Sequence, residues 1–517
     1  MGDTSKRKRR TRARSQNPIE TGGPVLRKTD YSRLKNGLIR QPVFSQDKLE
    51  NVHQTALRVL QELGIRVLHP DARRRFAAAG ARVDEVNEIV QIDPSLVELS
   101  LEAAPSEFTL HGATTEKDVT LGGDNVVFCP VIGPPNVSDL DQGRRVGTLE
   151  DTRNLIKLSE YFDVIHVQST NVESQDIPPQ FRHLKTTESQ LTLSHKPIFI
   201  YSRGTPQVQD AFEMVRIARG KSHRAFCEKP LCWTSINTNS PRQLDVPMCQ
   251  GIIDFAEANQ MLIITPFTLA GAMAPVTIEG ALALQHAEAL AGIILAQIVR
   301  PGAAVVYGSF TSNVNMKSGS PAFGTPEFFT AALGAGQLAR HIGLPWRGSA
   351  ATASNAIDGQ AVHETAMSAW GTLLGGANFM MHSAGWLEGG LTASMEKFVM
   401  DVELLQMFSE IFKKQAFEDD DAIFEAIADV EPGGHFFGSS HTLSRYRTAF
   451  YEPLVADWSN FGTWTDAGSK SAPQRANEIW KRILNEFEPP HLDEAITAEL
   501  GSFVDRRTKE GGSLPES

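Results

Sequence analysis

The sequence predicts an α/β fold in which parallel strands alternate with helices, and three observations carry that reading. Between residues 301 and 405, an apolar stretch, a Gly-rich turn and a helix-forming stretch follow one another three times. Polar and aromatic side chains collect just after each apolar stretch, where a strand's carboxyl end would lie. Upstream, residues 121–300 supply five further strand–helix pairs, so that eight units span about 280 residues, the size of a (β/α)8 barrel. Strands joined this way are buried on both faces and present their chemistry at the carboxyl ends.

The elements follow in order. Residues 1–22 form a basic tail, expected to be disordered. Residues 23–120 read as a small N-terminal α/β cap: a helix over 46–63 ended by Gly64, a strand over 65–68 and a helix over 69–79 stopped by Gly80. A strand at 91–92, a helix over 94–104 and short strands within 106–120 complete it. The barrel occupies 121–408. Its strand–helix pairs are 125–132 with 149–162 (Thr148 as N-cap), 164–168 with a helix carrying 186–193, 197–201 with 207–219, 230–234 with 247–258, and 262–266 with a long helix to Val299. The last three pairs are 303–310 with 325–341, 344–351 with 362–375, and 378–384 with 392–408. Residues 409–517 change character: an acidic run at 418–421, aromatic-rich stretches over 435–447 and 450–464, and a helix over 473–487 ended by Pro489–Pro490. This extension is expected to pack on the barrel or on a neighbouring subunit.

Composition narrows the function classes. Hydrophobic residues at 41% and charged ones at 21% fit an ordinary soluble protein. Glu279, Gln285, His286 and Glu288 interrupt the apolar run over 262–299, which argues against a membrane span, and no apolar leader core follows the basic N-terminus. Four cysteines without CxxC spacing fit the reducing cytoplasm. Residues 1–14 hold seven Lys/Arg against Asp3, a net +6, so the remainder carries −17 of the total −11. With no aromatics interleaved to stack bases, the tail gives little support to nucleic-acid binding.

No Walker loop, GxGxxG with an acidic follower, HExxH, GxSxG or Cys/His zinc spacing is present, so no protein-bound metal is expected. Candidates come instead from predicted strand ends: Ser312, Asn313, Asn315 and Lys317; Ser354, Asn355, Asp358, Gln360 and His363; His382, Trp386 and Glu388. Each has a plainer role open to it. Glu364, beside His363, suits a helix dipole, and His382 in an apolar strand suits a hydrogen-bonded core histidine. Phe128, Tyr201, Trp233, Phe267, Tyr307, Phe310, Trp346 and Trp386 all fall in or just beyond strands. Half or more of them fill the barrel, and two or three facing the mouth would cage a quaternary ammonium group.

At these residues the chain resembles the trimethylamine methyltransferase family of corrinoid-dependent enzymes. The resemblance is carried by ALRVLQELGIRVLHPDARRRFAAAGARVD, VVFCPVIGPPNVSDLDQGRRVGTLED, YGSFTSNVNMKSGSPAFGTPE, GQAVHE, AGWLEGGLTASMEKFVMD and HFFGSSHT, with RAN and EPPHLD following. It implies a (β/α)8 barrel whose mouth meets a separate corrinoid protein, with an amine's methyl group passing to the Co(I) of the cobamide. The cofactor implied is cob(I)alamin/methylcobalamin carried by that partner, and a second methyltransferase would hand the methyl group to tetrahydrofolate. The archaeal trimethylamine enzymes carry pyrrolysine about a dozen residues before the His-Glu pair; here that place falls at Ala351 or its neighbours in SAATASNA. Relatives lacking pyrrolysine include glycine betaine methyltransferases.

That departure fits the chemistry. A quaternary nitrogen leaves as a neutral tertiary amine, so its methyl group needs no covalent or acid activation, and the protein's work is orientation and electrostatics. The expected reaction is methyl transfer from a betaine-like quaternary amine to a corrinoid protein. The expected catalytic residues are His363 and Asn313. Tyr201, Trp233, Phe310, Asn315, Trp346, Gln360, Trp386 and Glu388 are expected to bind substrate, and Ser312, Ser354, Asp358 and His382 to face the cofactor. A cytoplasmic homo-oligomer is expected. Trimethylamine or another methylamine as substrate, or a barrel that binds a quaternary amine without turnover, are the alternatives.

Overall fold

The structure, a computed structural model, describes residues 30–413 and 418–516, so the basic tail lies outside the described residues. Seven parallel strands run through its main sheet: β1 Asn125–Phe128, β2 Ile198–Phe199, β3 Cys232–Thr238, β4 Met261–Ala270, β5 Val305–Gly308, β6 Trp346–Ser349 and β7 Phe379–Met381. Their order is β1-β7-β6-β5-β4-β3-β2. Each neighbour is therefore next in sequence, except that β7 returns to β1 through Phe379↔Val127 and Met380↔Phe128.

The expected strand at 164–168 is not one. A turn at Asp163–Val164 breaks it, and the His166 ring takes over a ladder position. Its Nδ1 accepts from the Phe128 N–H at 2.8 Å, and its Nε2 lies 2.8 Å from the Tyr31 carbonyl. The segment still joins β1 to β2: the His166 N–H donates to Phe128 O at 3.0 Å and the Gln168 N–H to Pro197 O at 2.8 Å.

The helices start where the caps dictate. Thr148 and Asp151 form a reciprocal capping box at Leu149–Tyr161. Thr325 accepts from Phe328 N, with Pro326 preset for the first turn. The helix expected over 392–408 begins later, at Met395–Phe412, because Thr392–Ser394 pairs as a strand with Trp386–Leu387 and with Asn136–Asp139. With Gly143–Val146 these form a second, four-stranded sheet, built partly from a stretch read as loop in the sequence.

Apolar residues pack on both faces of the sheet. Inside, Val127, Phe199, Trp233, Ile263, Val306 and Phe379 pack together. The hairpin Phe108–Leu110/Val119–Leu121 adds Leu110, Val119 and Leu121 to that cluster, and it is tied to the strands' amino ends by His111 N–H to Pro230 O and Ala113 N–H to His195 O. That end is plugged, which leaves the carboxyl ends for chemistry. Outside, the helix Ile278–Val299 is the centre of the second core. Contrary to expectation it is long and apolar enough to cross a bilayer, but 83% of its apolar window is buried within the protein. Its polar residues point to interior partners: Gln285 donates to Gly308 O at 3.1 Å, and Glu288 accepts from Thr238 and Ser240. The N-terminal helices Gln46–Arg58, Pro70–Ala78 and Pro94–Ala103 pack on this helix, so the expected cap flanks the helix layer.

At the C-terminus, Ala472–Glu486 packs on Met395–Phe412. A further helix, Glu494–Lys509, follows where the sequence reading stopped. Asp493 caps it past the two prolines, and Arg507 binds Asp210 at 2.6 Å. The four cysteines are free thiols.

Candidate functional site

A cavity of about 440 Å³ opens at the strands' carboxyl ends. Two larger cavities, of about 580 and 640 Å³, lie at the amino ends near Asn125 and Asn378, and neither sets a buried cation against aromatic rings. The site is built from successive strand ends. β2 leads into Tyr201, Ser202 and Arg203; β3 presents Ser235 and Asn237; β4 presents Thr265 and Phe267. Phe310 follows β5, Arg347 lies in β6, and Met381 and His382 close β7. Alternation along a strand explains the spacing of Ser235 with Asn237 and of Thr265 with Phe267.

The wall is aromatic. Phe267 and Phe310 are register partners in adjacent strands, with ring centroids 5.3 Å apart. Phe310 stacks on Phe323 at 5.3 Å and meets Trp386 edge-on at 6.1 Å. Trp386 in turn lies 4.0 Å from the His382 ring and donates its Nε1–H to Thr352 O at 3.1 Å. Opposite, the Arg203 guanidinium stacks 3.9 Å above the Tyr201 ring and binds Glu173 at 2.7 Å. The turn glycines permit this closeness: a Cβ on Gly390 would lie 2.5 Å from the Trp386 ring, and one on Gly133 2.0 Å from the Tyr201 hydroxyl.

Arg347 is the electrostatic centre. Its side chain is 2% exposed, and among the described residues no carboxylate pairs with it. Its Nη1 donates to Ser309 O at 2.9 Å and its Nε contacts the Met381 sulfur, while the guanidinium carbon sits 5.3 Å from the Phe310 ring centre. Burial pushes its pKa down to about 9. Burial, helped by the neighbouring Arg347 charge, also holds the His382 pKa well below the ordinary imidazole value, so that His382 is neutral at pH 7. His382 and Glu388 both adopt positive φ, 58° and 53°, a strain of about 1–3 kcal/mol per residue characteristic of functional sites. The Thr265 hydroxyl is buried without a hydrogen-bond partner among the described residues.

The structure gathers some of the expected residues and disperses others. Tyr201, Phe310, Trp386 and His382 line the cavity. Glu388 stands at its rim, held by Arg144 through both carboxylate oxygens at 2.8 and 3.0 Å. Trp233 is a correction: it lies in the interior core, ring to ring with Phe199 and Phe379. So is Trp346, which faces outward from β6 to the helix layer and donates to Ser309 Oγ at 2.9 Å. Asn313 accepts from Thr325 Oγ1 at 2.9 Å, and Ser312 bonds Ala322 O, so both brace the strand Phe310–Val314. Asn315 caps an exposed turn through Lys317 N–H. Ser354 bonds Ala356 O, and Asp358 caps the helix Gly359–Gly375; Gln360 and His363 are exposed within its first two turns. Sequence reasoning missed Arg347 and Phe323. The signal for Arg347 was present, since an arginine inside an otherwise apolar strand needs a partner to be buried.

The model of the trimethylamine methyltransferase (MTTB) family matches residues 4–512. The glycine betaine methyltransferase of Desulfitobacterium hafniense (strain Y51) is 36% identical over 472 residues, covering 91% of this chain and 98% of that protein. The trimethylamine methyltransferase MttB of Desulfitobacterium hafniense (strain DSM 10664 / DCB-2) is 30% identical, covering 91% of this chain and 94% of its own length. The solved monomethylamine methyltransferase of Methanosarcina barkeri superposes with a TM-score of 0.48 at 11% identity, over 88% of this chain and 96% of that one.

Proposed function

This chain belongs to the trimethylamine methyltransferase family and is a methyltransferase, and from that premise we propose that its donor is a betaine, a quaternary ammonium that also carries a carboxylate. The observation that carries the reading is Arg347, a buried cation without a carboxylate partner among the described residues, set in the aromatic wall of a small cavity. A carboxylate meeting Arg347 completes a charge-assisted pair. The trimethylammonium end then rests on the Phe267, Phe310, Tyr201 and Trp386 rings, each cation–π contact supplying about 0.5–2 kcal/mol. Trimethylamine would leave Arg347 unpaired. The 36% identity to a glycine betaine methyltransferase supports the same donor.

The methyl acceptor in this reading is the cobamide of a separate corrinoid protein, which supplies the electron pair for an in-line displacement. A cavity of about 440 Å³ suits a small amine, and in this reading the corrin ring, carried by the separate protein, sits over the mouth. The residues' part is positional. Arg347 and the rings fix the donor's two ends, which aims one methyl group outward. As the nitrogen sheds its charge, a wall that excludes water replaces solvent reorganisation with fixed groups. No acid is needed, and neutral His382 and the Thr265 hydroxyl remain as hydrogen-bonding groups beside the carboxylate. We read the architecture as a (β/α)8 barrel, supported by the β7–β1 pairing and by the hydrogen bonds of residues 166 and 168 that join β1 to β2. A downstream tetrahydrofolate methyltransferase and a cytoplasmic setting complete the reading.

The test is a methyl-transfer assay with chemically reduced cobalamin as acceptor and glycine betaine, proline betaine, carnitine, choline and trimethylamine as donors. Turnover with a betaine and none with choline or trimethylamine is expected. Turnover with trimethylamine would overturn the reading, and betaine binding without turnover by any acceptor, corrinoid protein included, would mark a binding-only barrel.

A further inference from the structure

Residues 418–470 form an arm with almost no core of its own. Within it only Ser439, Leu454 and Val455 are buried. Leu454 and Val455 lie against the body, where the Val455 and Ala456 N–H groups donate to Glu403 at 3.2 and 2.9 Å and Arg475 donates to Val455 O at 2.7 Å. On either side of that anchor the chain exposes large apolar side chains: Phe437 by 84%, Phe450 by 82% and Phe461 by 78%. The helix Asp420–Ala428 buries nothing, and Ile423, Phe424 and Ile427 share one exposed face of it. A nine-residue helix is not stable alone in water, and an apolar patch of this extent marks an interface.

The arm's charge is divided along its length. Residues 418–431 carry seven acidic side chains and no Lys or Arg, whereas residues 435–447 carry Arg445, Arg447, His435 and His441 and no acid. Glu418 already folds back on Arg445 and His441, at 2.7 and 3.1 Å, which shows the two halves to be complementary. A surface with one acidic and one basic half is self-complementary about a two-fold axis, the symmetry of most homodimers. The side chains of Phe424, Phe437, Phe450, Trp458 and Phe461 together expose roughly 770 Å² at about 200 Å² each, close to the ~800 Å² each partner gives to a stable interface. A corrinoid protein that leaves in each turnover would uncover the arm every time, whereas a second copy covers it permanently.

We propose that this arm is the contact between two copies of the chain, the acidic half of each lying on the basic half of the other. It stands independently of the donor's identity. The full-length protein is tested by light scattering and sedimentation equilibrium at micromolar concentration. The expected mass is an even multiple of the 56.6 kDa chain. Phe437→Glu with Phe450→Glu is expected to raise the dimer Kd about 100-fold or more, as loss of two anchors does. Two charge-reversed variants distinguish contact from misfolding: Arg445→Glu/Arg447→Glu, and Asp420→Lys/Asp421→Lys/Glu425→Lys. Each alone is expected to dissociate, and the two mixed to form a heterodimer, which an unfolded arm does not restore. A 56.6 kDa wild-type particle, glutamate variants that assemble normally, or mixed variants that stay apart would each overturn the proposal.

Discussion

Replacing Arg347 with methionine separates binding from folding. In the folded protein the guanidinium has one carbonyl and one sulfur as partners and no carboxylate among the described residues. A bidentate charge-assisted pair with a donor's carboxylate is worth about 3–6 kcal/mol, at about 1.5–3 kcal/mol per hydrogen bond to a charged group. Arg347→Met should therefore lower kcat/KM for a betaine by roughly 100- to 20,000-fold, mostly through KM. Turnover or binding of a carboxylate-free amine should be unchanged or improved. Stability should move the other way. Burial lowers the Arg347 pKa to about 9, so the charged form carries a desolvation cost of up to about 5 kcal/mol, and methionine removes it while filling similar space. Steady-state kinetics with the donor panel, beside calorimetric unfolding of both proteins, reads the two effects. Equal losses for carboxylate-bearing and carboxylate-free donors, or a lowered Tm, would make Arg347 a structural residue and refute the argument.

Three other outcomes are expected. His166, held to a pKa of about 4, and His286 and His382, both pushed well below 6.5 by burial, stay neutral when folded. The unfolded chain therefore binds more protons below pH 6.5, and stability should fall on acidification by up to about 1.4 kcal/mol per pH unit per histidine; a urea midpoint constant from pH 7 to 5 would contradict this. Gly336→Ala would place a Cβ 2.1 Å from Gly375 O between two helices and should cost about 1–3 kcal/mol, while Gly359→Ala, with open space around it, should be neutral; comparison of the two melting curves decides it. Glu364 accepts from Thr352 Oγ1 at 2.6 Å and Ala353 N at 2.8 Å, fixing the loop whose Thr352 carbonyl holds Trp386. Glu364→Gln should raise KM for the donor about tenfold, the loss of one charged hydrogen bond, and an unchanged KM would detach Glu364 from the site.

The α/β alternation was legible because periodicity reports burial, and buried strands and amphipathic helices differ in it. Segment 164–168 failed because His166 replaces a backbone partner with its ring, a substitution that hydrophobic pattern does not encode. The helix Glu494–Lys509 was missed because two prolines suggest an end, while Asp493 starts a new helix just beyond them. In the site, the residues after the strands were readable as a group but not one by one. Asn313, Ser354 and Asp358 have the same chemistry whether they hold the backbone's shape or meet a substrate, and here Asn313 bonds the Thr325 hydroxyl, Ser354 closes a turn and Asp358 caps a helix. Trp233 and Trp346 lie in strands, and whether such a ring faces the mouth, the interior or the helices depends on register and depth along the strand, which sequence alone leaves open.

Four cations are buried among the described residues; Arg73 pairs with Glu85 and Glu88 at 2.8 and 3.2 Å, and the contrast among the other three explains the site. Lys196 is fully buried, but its ammonium lies on the last carbonyls of the helix Leu149–Tyr161 and on Phe162 O at 2.9 Å, where the helix end is negative. Lys397 is paired with Asp401 at 2.7 and 2.8 Å and with Thr365 at 2.9 Å. Both are complete within the protein. Arg347 is left half-satisfied, beside an unpartnered Thr265 hydroxyl and two residues in strained backbone. A fold able to complete the other buried cations could have placed an acid beside Arg347. Leaving it open costs stability in the free protein, a cost that selection tolerates where the missing partner arrives with the substrate. An anion small enough for the cavity, joined to a cation that the rings accept, is the ligand that removes all of these deficits at once.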